Sequence, residues 1–206
     1  NEYINIMVYP FTDSQILGIS TFPYSLKDFF LEGTQQVSAS WITLENLSFP
    51  YCISINSSYI YEQSTDERIN QNDAAITLAH ELGHYLGLRH VFSEGGTTSM
   101  CTDTDYCKDT PSYNRSEYEQ WLNNLDKQNK YQLKDLAKRY SCEKGEYEAH
   151  NIMDYAYCFY NEITLEQRKR IRHILNYSPL IPGPKESRID TRGVQGRLNL
   201  PICIMK

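Results

Sequence analysis

The sequence predicts a mixed α+β fold, with a β-rich first third, one strongly marked helix near the middle and an irregular second half closed by another helix. Three observations carry this. Short apolar, β-branched runs bounded by Pro or polar residues recur over residues 3–60. Residues 74–86 are apolar at helical spacing. Towards the end of the chain, Thr164-Leu165-Glu166-Gln167 is a capping box that opens a helix.

Residues 3–9 alternate imperfectly and stop at Pro10, and 16–22 form a second run closed by Pro23. Residues 40–44 are a weaker strand candidate. Residues 51–60 alternate well, with Tyr51, Ile53 and Ile55 opposed to Cys52, Ser54 and Asn56. This strand is either an edge along which an extended peptide pairs or a plain interior strand. Residues 66–73 read as a polar loop. The helix over 74–86 has Asn72 and Asp73 as candidate N-caps, and Gly87 is placed to end it in a left-handed conformation. Composition shifts to Gly, Thr, Ser and Asp over 92–111, an irregular stretch. Residues 116–140 are highly charged but carry Tyr118, Trp121, Leu122, Leu125, Leu133 and Leu136, which predicts one or two amphipathic surface helices. A polar loop is expected over 143–150. The last helix runs to about Asn176, with Ile163, Ile171, Ile174 and Leu175 as its apolar face. Ile181-Pro182-Gly183-Pro184 breaks structure, so a single domain is expected over 1–178, with 179–206 as a tail.

The chain has 206 residues, 40% of them hydrophobic, enough to bury roughly two-thirds of the unfolded surface. Lys plus Arg number 20 and Asp plus Glu 26, a net charge of −6 that excludes nucleic acid or an anionic membrane as the main partner. No apolar run of about 18 residues exists, so no transmembrane segment is expected. The six cysteines (Cys52, Cys101, Cys107, Cys142, Cys158 and Cys203) form no Cys-x-x-Cys pair. That argues against a zinc ribbon or a redox motif. It leaves disulfides in an extracytoplasmic, secreted or cell-surface setting, or free buried thiols. The sequence opens at Asn1 with no signal-peptide pattern, as expected of a mature, trimmed or partial chain.

The chemistry concentrates in His80-Glu81-Leu82-Gly83-His84-Tyr85-Leu86-Gly87-Leu88-Arg89-His90. On a helix, positions i and i+4 share one face, so His80 and His84 can present imidazoles to a single metal. Glu81 then stands beside the metal, where it can take a proton from bound water, and Gly87 lets the chain turn so that His90 becomes a third ligand. Three neutral nitrogens leave the fourth position of a tetrahedral Zn²⁺ open, the mark of a catalytic rather than a structural site. The chance of meeting this eleven-residue pattern in such a composition is on the order of 10⁻⁵. Downstream, Asn151-Ile152-Met153-Asp154-Tyr155 offers a soft thioether floor at Met153 and a phenol at Tyr155 that can donate to a developing oxyanion. Taken alone, a Met followed by a Tyr would be ordinary core packing. His150 and His173 read as structural or surface histidines.

The long histidine motif with a following Met-turn resembles the metzincin clan of zinc peptidases, and the details resemble its pappalysin family. These details are residues 80–90, Asp109-Thr110-Pro111, Asn151-Ile152-Met153-Asp154-Tyr155, and upstream Ile4-Asn5-Ile6-Met7-Val8 and Leu17-Gly18-Ile19-Ser20-Thr21-Phe22-Pro23. The resemblance spans about residues 3–177, with about 116–140 as extra helical material. It implies a zincin fold, with a β-rich upper subdomain bearing the active-site helix and an irregular lower subdomain bearing the Met-turn and C-terminal helix. It also implies endopeptidase activity on protein or peptide substrates, with His80, His84 and His90 on zinc, Glu81 as general base and acid, and Tyr155 as oxyanion stabiliser. The rival expectation is a catalytically silent zincin-like binding or adhesion module. A third is a latent enzyme whose open metal position is covered by upstream sequence or Cys203.

The resemblance carries further expectations. The family places a strand, a backing helix and another strand before the segment matching residues 3–9, so the chain is expected to be part of a longer protein, with an upstream fragment or prodomain as partner. The disulfide pairing expected is Cys101–Cys142 and Cys107–Cys158, with Cys52 and Cys203 unassigned. Asp103, Thr104, Asp105, Asp109 and Thr110 are either a structural Ca²⁺ site or a solvated polar loop. The family's preference for a basic residue after the scissile bond uses an acid just beyond the Met-turn. Ala156-Tyr157-Cys158-Phe159 stands there, and that preference is not expected.

Overall fold

A computed structural model describes residues 3–43, 45–47, 50–93, 104–141, 143 and 145–185. It is a mixed α+β structure. Strands β1 (Asn5–Tyr9), β2 (Gly18–Ser20) and β5 (Cys52–Asn56) form one sheet in the order β1-β5-β2. β5 runs parallel to β1, with Ile53 opposite Ile6, and antiparallel to β2, with Ile55 opposite Gly18. All five β5 residues are buried, so β5 is the interior strand and β2 an edge. The substrate-pairing alternative for 51–60 is therefore excluded.

Helix α1 (Ala74–Tyr85) packs on this sheet. Tyr51, Ile53 and Ile55 meet Tyr85, Ile174, Leu180 and Ile181 in the first core, and the Tyr51 and Tyr85 rings lie 4.9 Å apart. Leu180 and Ile181 carry this core past Pro179. Asp73 occupies the N-cap position of α1, but its carboxylate accepts from the Ser64 N–H at 2.7 Å instead of capping. Gly87, at φ +87°, ends the helical region as expected.

Three stretches differ from the sequence expectation. Of the weak strand candidate 40–44, the described residues 40–43 form no strand, because Ala39–Trp41 is a 3-10 turn, as is Glu67–Asn72 in the expected loop. Ahead of both, a short parallel pair, β3 (Tyr24–Leu26) with β4 (Gln35–Val37), carries too few residues to show a period. The charged stretch holds two helices, α2 (Arg115–Asn123) and α3 (Leu133–Leu136). The chain then turns into a hairpin of β6 (Lys138–Ser141) and β7 (Gly145–Glu148) where helix and loop were expected. Cross-strand partners favour the hairpin: Lys138 pairs with Glu146 at 3.5 Å, and the Tyr140 hydroxyl donates to Glu146 at 2.9 Å.

The last helix, α4 (Leu165–Tyr177), has its predicted capping box: the Thr164 hydroxyl accepts from Gln167 N, and Gln167 Oε1 accepts from Thr164 N. Ile174 is buried, but Leu175, expected on the apolar face, lies exposed. The Cys107–Cys158 disulfide is not formed. Both are free buried thiols, and the Cys158 thiol donates to the carbonyls of Ala149 and Asn151 in a separate core. Cys52 is also free. Cys101, Cys142, Cys203 and Asp103 lie outside the described residues. No helix among the described residues is long and apolar enough to cross a membrane.

Candidate active site

Two turns of α1 set the first part of the site. His80 and His84 stand on one face, and the left-handed turn at Gly87 brings His90 back towards them. The Nε2 atoms of His80 and His90 lie 3.2 Å apart, and those of His84 and His90 lie 3.1 Å apart. The opposite ring nitrogens of two histidines are engaged: His80 Nδ1 donates to Ile152 O at 2.7 Å and His84 Nδ1 to Leu88 O at 2.9 Å. Those bonds select the tautomer that leaves both Nε2 lone pairs facing inward. Lone pairs so placed repel one another unless a cation sits among them. Nitrogens about 2.0–2.1 Å from a tetrahedral zinc would stand about 3.3 Å from one another, close to the spacing seen. The donor set therefore fits a metal ion, and among the described residues this is the one cluster of three or more potential ligands. Burial and the two neighbouring imidazoles push the His80 pKa down to about 3, which keeps it neutral as a ligand must be.

The Met-turn closes the site from below. Met153 is fully buried, and its thioether reaches so near α1 that a Cβ on Gly83 would lie 2.4 Å from Sδ. The Met153 carbonyl accepts from Val91 N, tying the loop after His90 to the turn. Asn151 exchanges two hydrogen bonds with Gln167, so the capping residue of α4 also holds the Met-turn. Tyr155 follows, with its ring 4.4 Å from that of His90 and 5.4 Å from that of His80. The guanidinium of Arg115 lies 4.7 Å above the Tyr155 ring.

Glu81 sits beside His80 and faces β2, where Gly18 leaves room for it. Burial raises its pKa from the usual carboxylate range to about 7. His80, Glu81 and Tyr155 line one cleft of about 520 Å³, together with Ile16, Leu17 and Gly18 of the sheet edge and Arg115 and Glu119 of α2. The predicted residues thus come together, while Gly18, Arg115 and Glu119 were not singled out from sequence. A charged i, i+4 pair on a surface helix reads as solvated, and Arg115–Glu119 is such a pair. His150 and His173 lie elsewhere, on Asn161 and on the Phe29 carbonyl.

The calcium expectation finds no support. Asp105 accepts from Cys107 N and Thr110 Oγ1, and Asp109 accepts from Thr164 Oγ1 and Glu166 N at the start of α4.

The sequence pattern of the peptidase family described as pregnancy-associated plasma protein-A matches residues 41–176. The chain belongs to the pappalysin family. Among its relatives, an extracellular metalloprotease of Arthroderma benhamiae is 37% identical over 108 residues, covering 51% of this chain and 32% of that protein. An extracellular metalloprotease of Arthroderma otae is 32% identical over 171 residues, covering 82% of this chain and 49% of that protein. The chain therefore spans a third to a half of the length of these curated relatives. Mature mirolysin of Tannerella forsythia, solved with a cleaved peptide, overlays with a TM-score of 0.49 at 23% identity, covering 85% of this chain and 53% of that one. Membership of the pappalysins implies zinc as the ion for the histidine cluster.

Proposed function

We propose that this chain carries the catalytic site of a secreted zinc-dependent endopeptidase. The observation that carries the reading is the convergence of three Nε2 atoms with Glu81 beside them, His80, Glu81 and Tyr155 lining one cleft. A zinc ion held by His80, His84 and His90 would supply Lewis-acid polarisation of the scissile carbonyl and a bound water of pKa about 7. Glu81 takes the proton of the attacking water and delivers it to the leaving amine, a role its raised pKa suits. Tyr155 donates its phenol hydrogen to the oxyanion that forms as the carbonyl is attacked. The edge strand β2, whose Gly18 borders the cleft, receives the extended substrate by backbone pairing. The relatives' description as extracellular proteases supports the secreted setting.

The test is Glu81→Gln in the zinc-loaded protein, assayed on a quenched-peptide library with and without chelator. The expected outcome is one equivalent of bound metal and loss of at least about 10²-fold in cleavage. Retained turnover would sink the mechanism. No chelator-sensitive cleavage by the wild-type protein would favour a silent binding module.

A further inference from the structure

We propose that Arg139, on strand β6 and far from the metal motif in sequence, is the positioning residue that aims Tyr155. The proposal rests on the reading of Tyr155 as oxyanion donor. The Arg139 side chain is wholly buried. Its Nη2 donates to the carbonyls of Tyr155 at 3.1 Å and Tyr157 at 2.9 Å, and its Nη1 donates to those of Leu136 and Lys138 at 3.1 and 3.2 Å. Ala156, the residue between the two Nη2 acceptors, stands at φ +57°, a left-handed conformation that a residue bearing a Cβ holds only when its surroundings impose it. One nitrogen of a planar fork therefore spans the strained turn immediately after Tyr155. The guanidinium is itself fixed on two sides. It lies 3.6 Å from the Tyr118 ring centroid, and its Nε is 3.5 Å from Asp154 Oδ2. Asp154 also accepts from the Tyr155 N–H at 2.7 Å and from the Tyr113 hydroxyl. The buried pair thus holds Tyr155 by its N–H on one side and its carbonyl on the other, and from that backbone the ring stands beside those of His80, His90 and Phe92. A lysine at 139 keeps the charge for Asp154 but cannot span two carbonyls while bonding two more.

The zinc-loaded full chain carrying R139K is compared with Y155F, the double variant and R139K/A156G. R139K is expected to keep its metal and its cooperative unfolding, to hold KM within about twofold, and to lose about tenfold in kcat, part of the roughly 10²-fold that loss of an oxyanion donor costs. The double variant is expected to be no slower than Y155F, because Arg139 acts through that phenol. Adding Ala156→Gly to R139K is expected to recover most of kcat, since glycine takes the left-handed turn unaided. The proposal is overturned by wild-type kcat in R139K, by the same tenfold loss on top of Y155F, or by a loss that tracks missing metal or unfolded protein. A Y155F variant with wild-type kcat overturns the Tyr155 reading itself and the proposal with it, a result separable from the others.

Discussion

A Cβ on Gly18 would lie 2.6 Å from Glu81 Cγ and 3.0 Å from its Oε1. The contact is with the root of the side chain, so Glu81 can relieve it only by moving its carboxylate out of place. With Glu81 in its proposed role of general base, Gly18→Ala is expected to lower kcat about tenfold while bound metal stays at one equivalent, because a small displacement of such a base costs heavily in proton transfer. Metal analysis beside steady-state kinetics checks this, and an unchanged kcat would show that Glu81 has more freedom than the packing allows. The candidate ligands His80, His84 and His90, with Glu81 and Tyr155, were legible because they share one short spacing rule or stand next to a Met-turn. Gly18 and Arg139 were not. A glycine in a strand and an arginine in a Lys-Arg-Tyr run carry no signal until the fold shows what they touch.

At the scale of elements, legibility followed length and local chemistry. Helices α1 and α4 declared themselves through apolar spacing, Gly87 and the Thr164–Gln167 box. β6 and β7 were misread because Lys138 looks like a helix-surface charge and Glu146 like part of a polar loop until they are seen to pair across a hairpin. Helix α4 carries a reinforcement from outside itself. Asp109 accepts from Glu166 N and Thr164 Oγ1, and although partial burial opposes ionisation, these bonds hold its pKa below the usual value. A carboxyl with a lowered folded pKa contributes stability that is present above about pH 4, its unfolded pKa, and lost as pH falls through the folded value. Asp109→Asn is therefore expected to cost about 0.5–1 kcal/mol at neutral pH, the usual worth of an acid at an exposed helix start. The gap to wild type should close in denaturant melts as the pH drops below about 4. A constant gap down to pH 2 would count against the carboxylate as its source.

Across the whole molecule, the site is where separate cores meet. α1 belongs to the core with the sheet, while Met153, Leu88 and Val91 belong to another, and the histidines sit between them. A protein contact already crosses this seam, from His80 Nδ1 to Ile152 O. An ion ligated by His80 and His84 from the helix and by His90 from the loop would tie the two sides further. Because the ligands are arranged only in the folded chain, binding adds to folding stability by mass action, about 4 kcal/mol when free zinc is a thousandfold above Kd. Chelation is expected to lower the midpoint of thermal unfolding by several degrees, zinc to restore it, and His90→Ala to remove most of the difference while leaving the chelated midpoint near that of wild type. Calorimetry with and without chelator separates the cases. If chelator moves neither midpoint, the three nitrogens are not a metal site. If it moves the His90→Ala midpoint as far as that of wild type, the third ligand lies elsewhere.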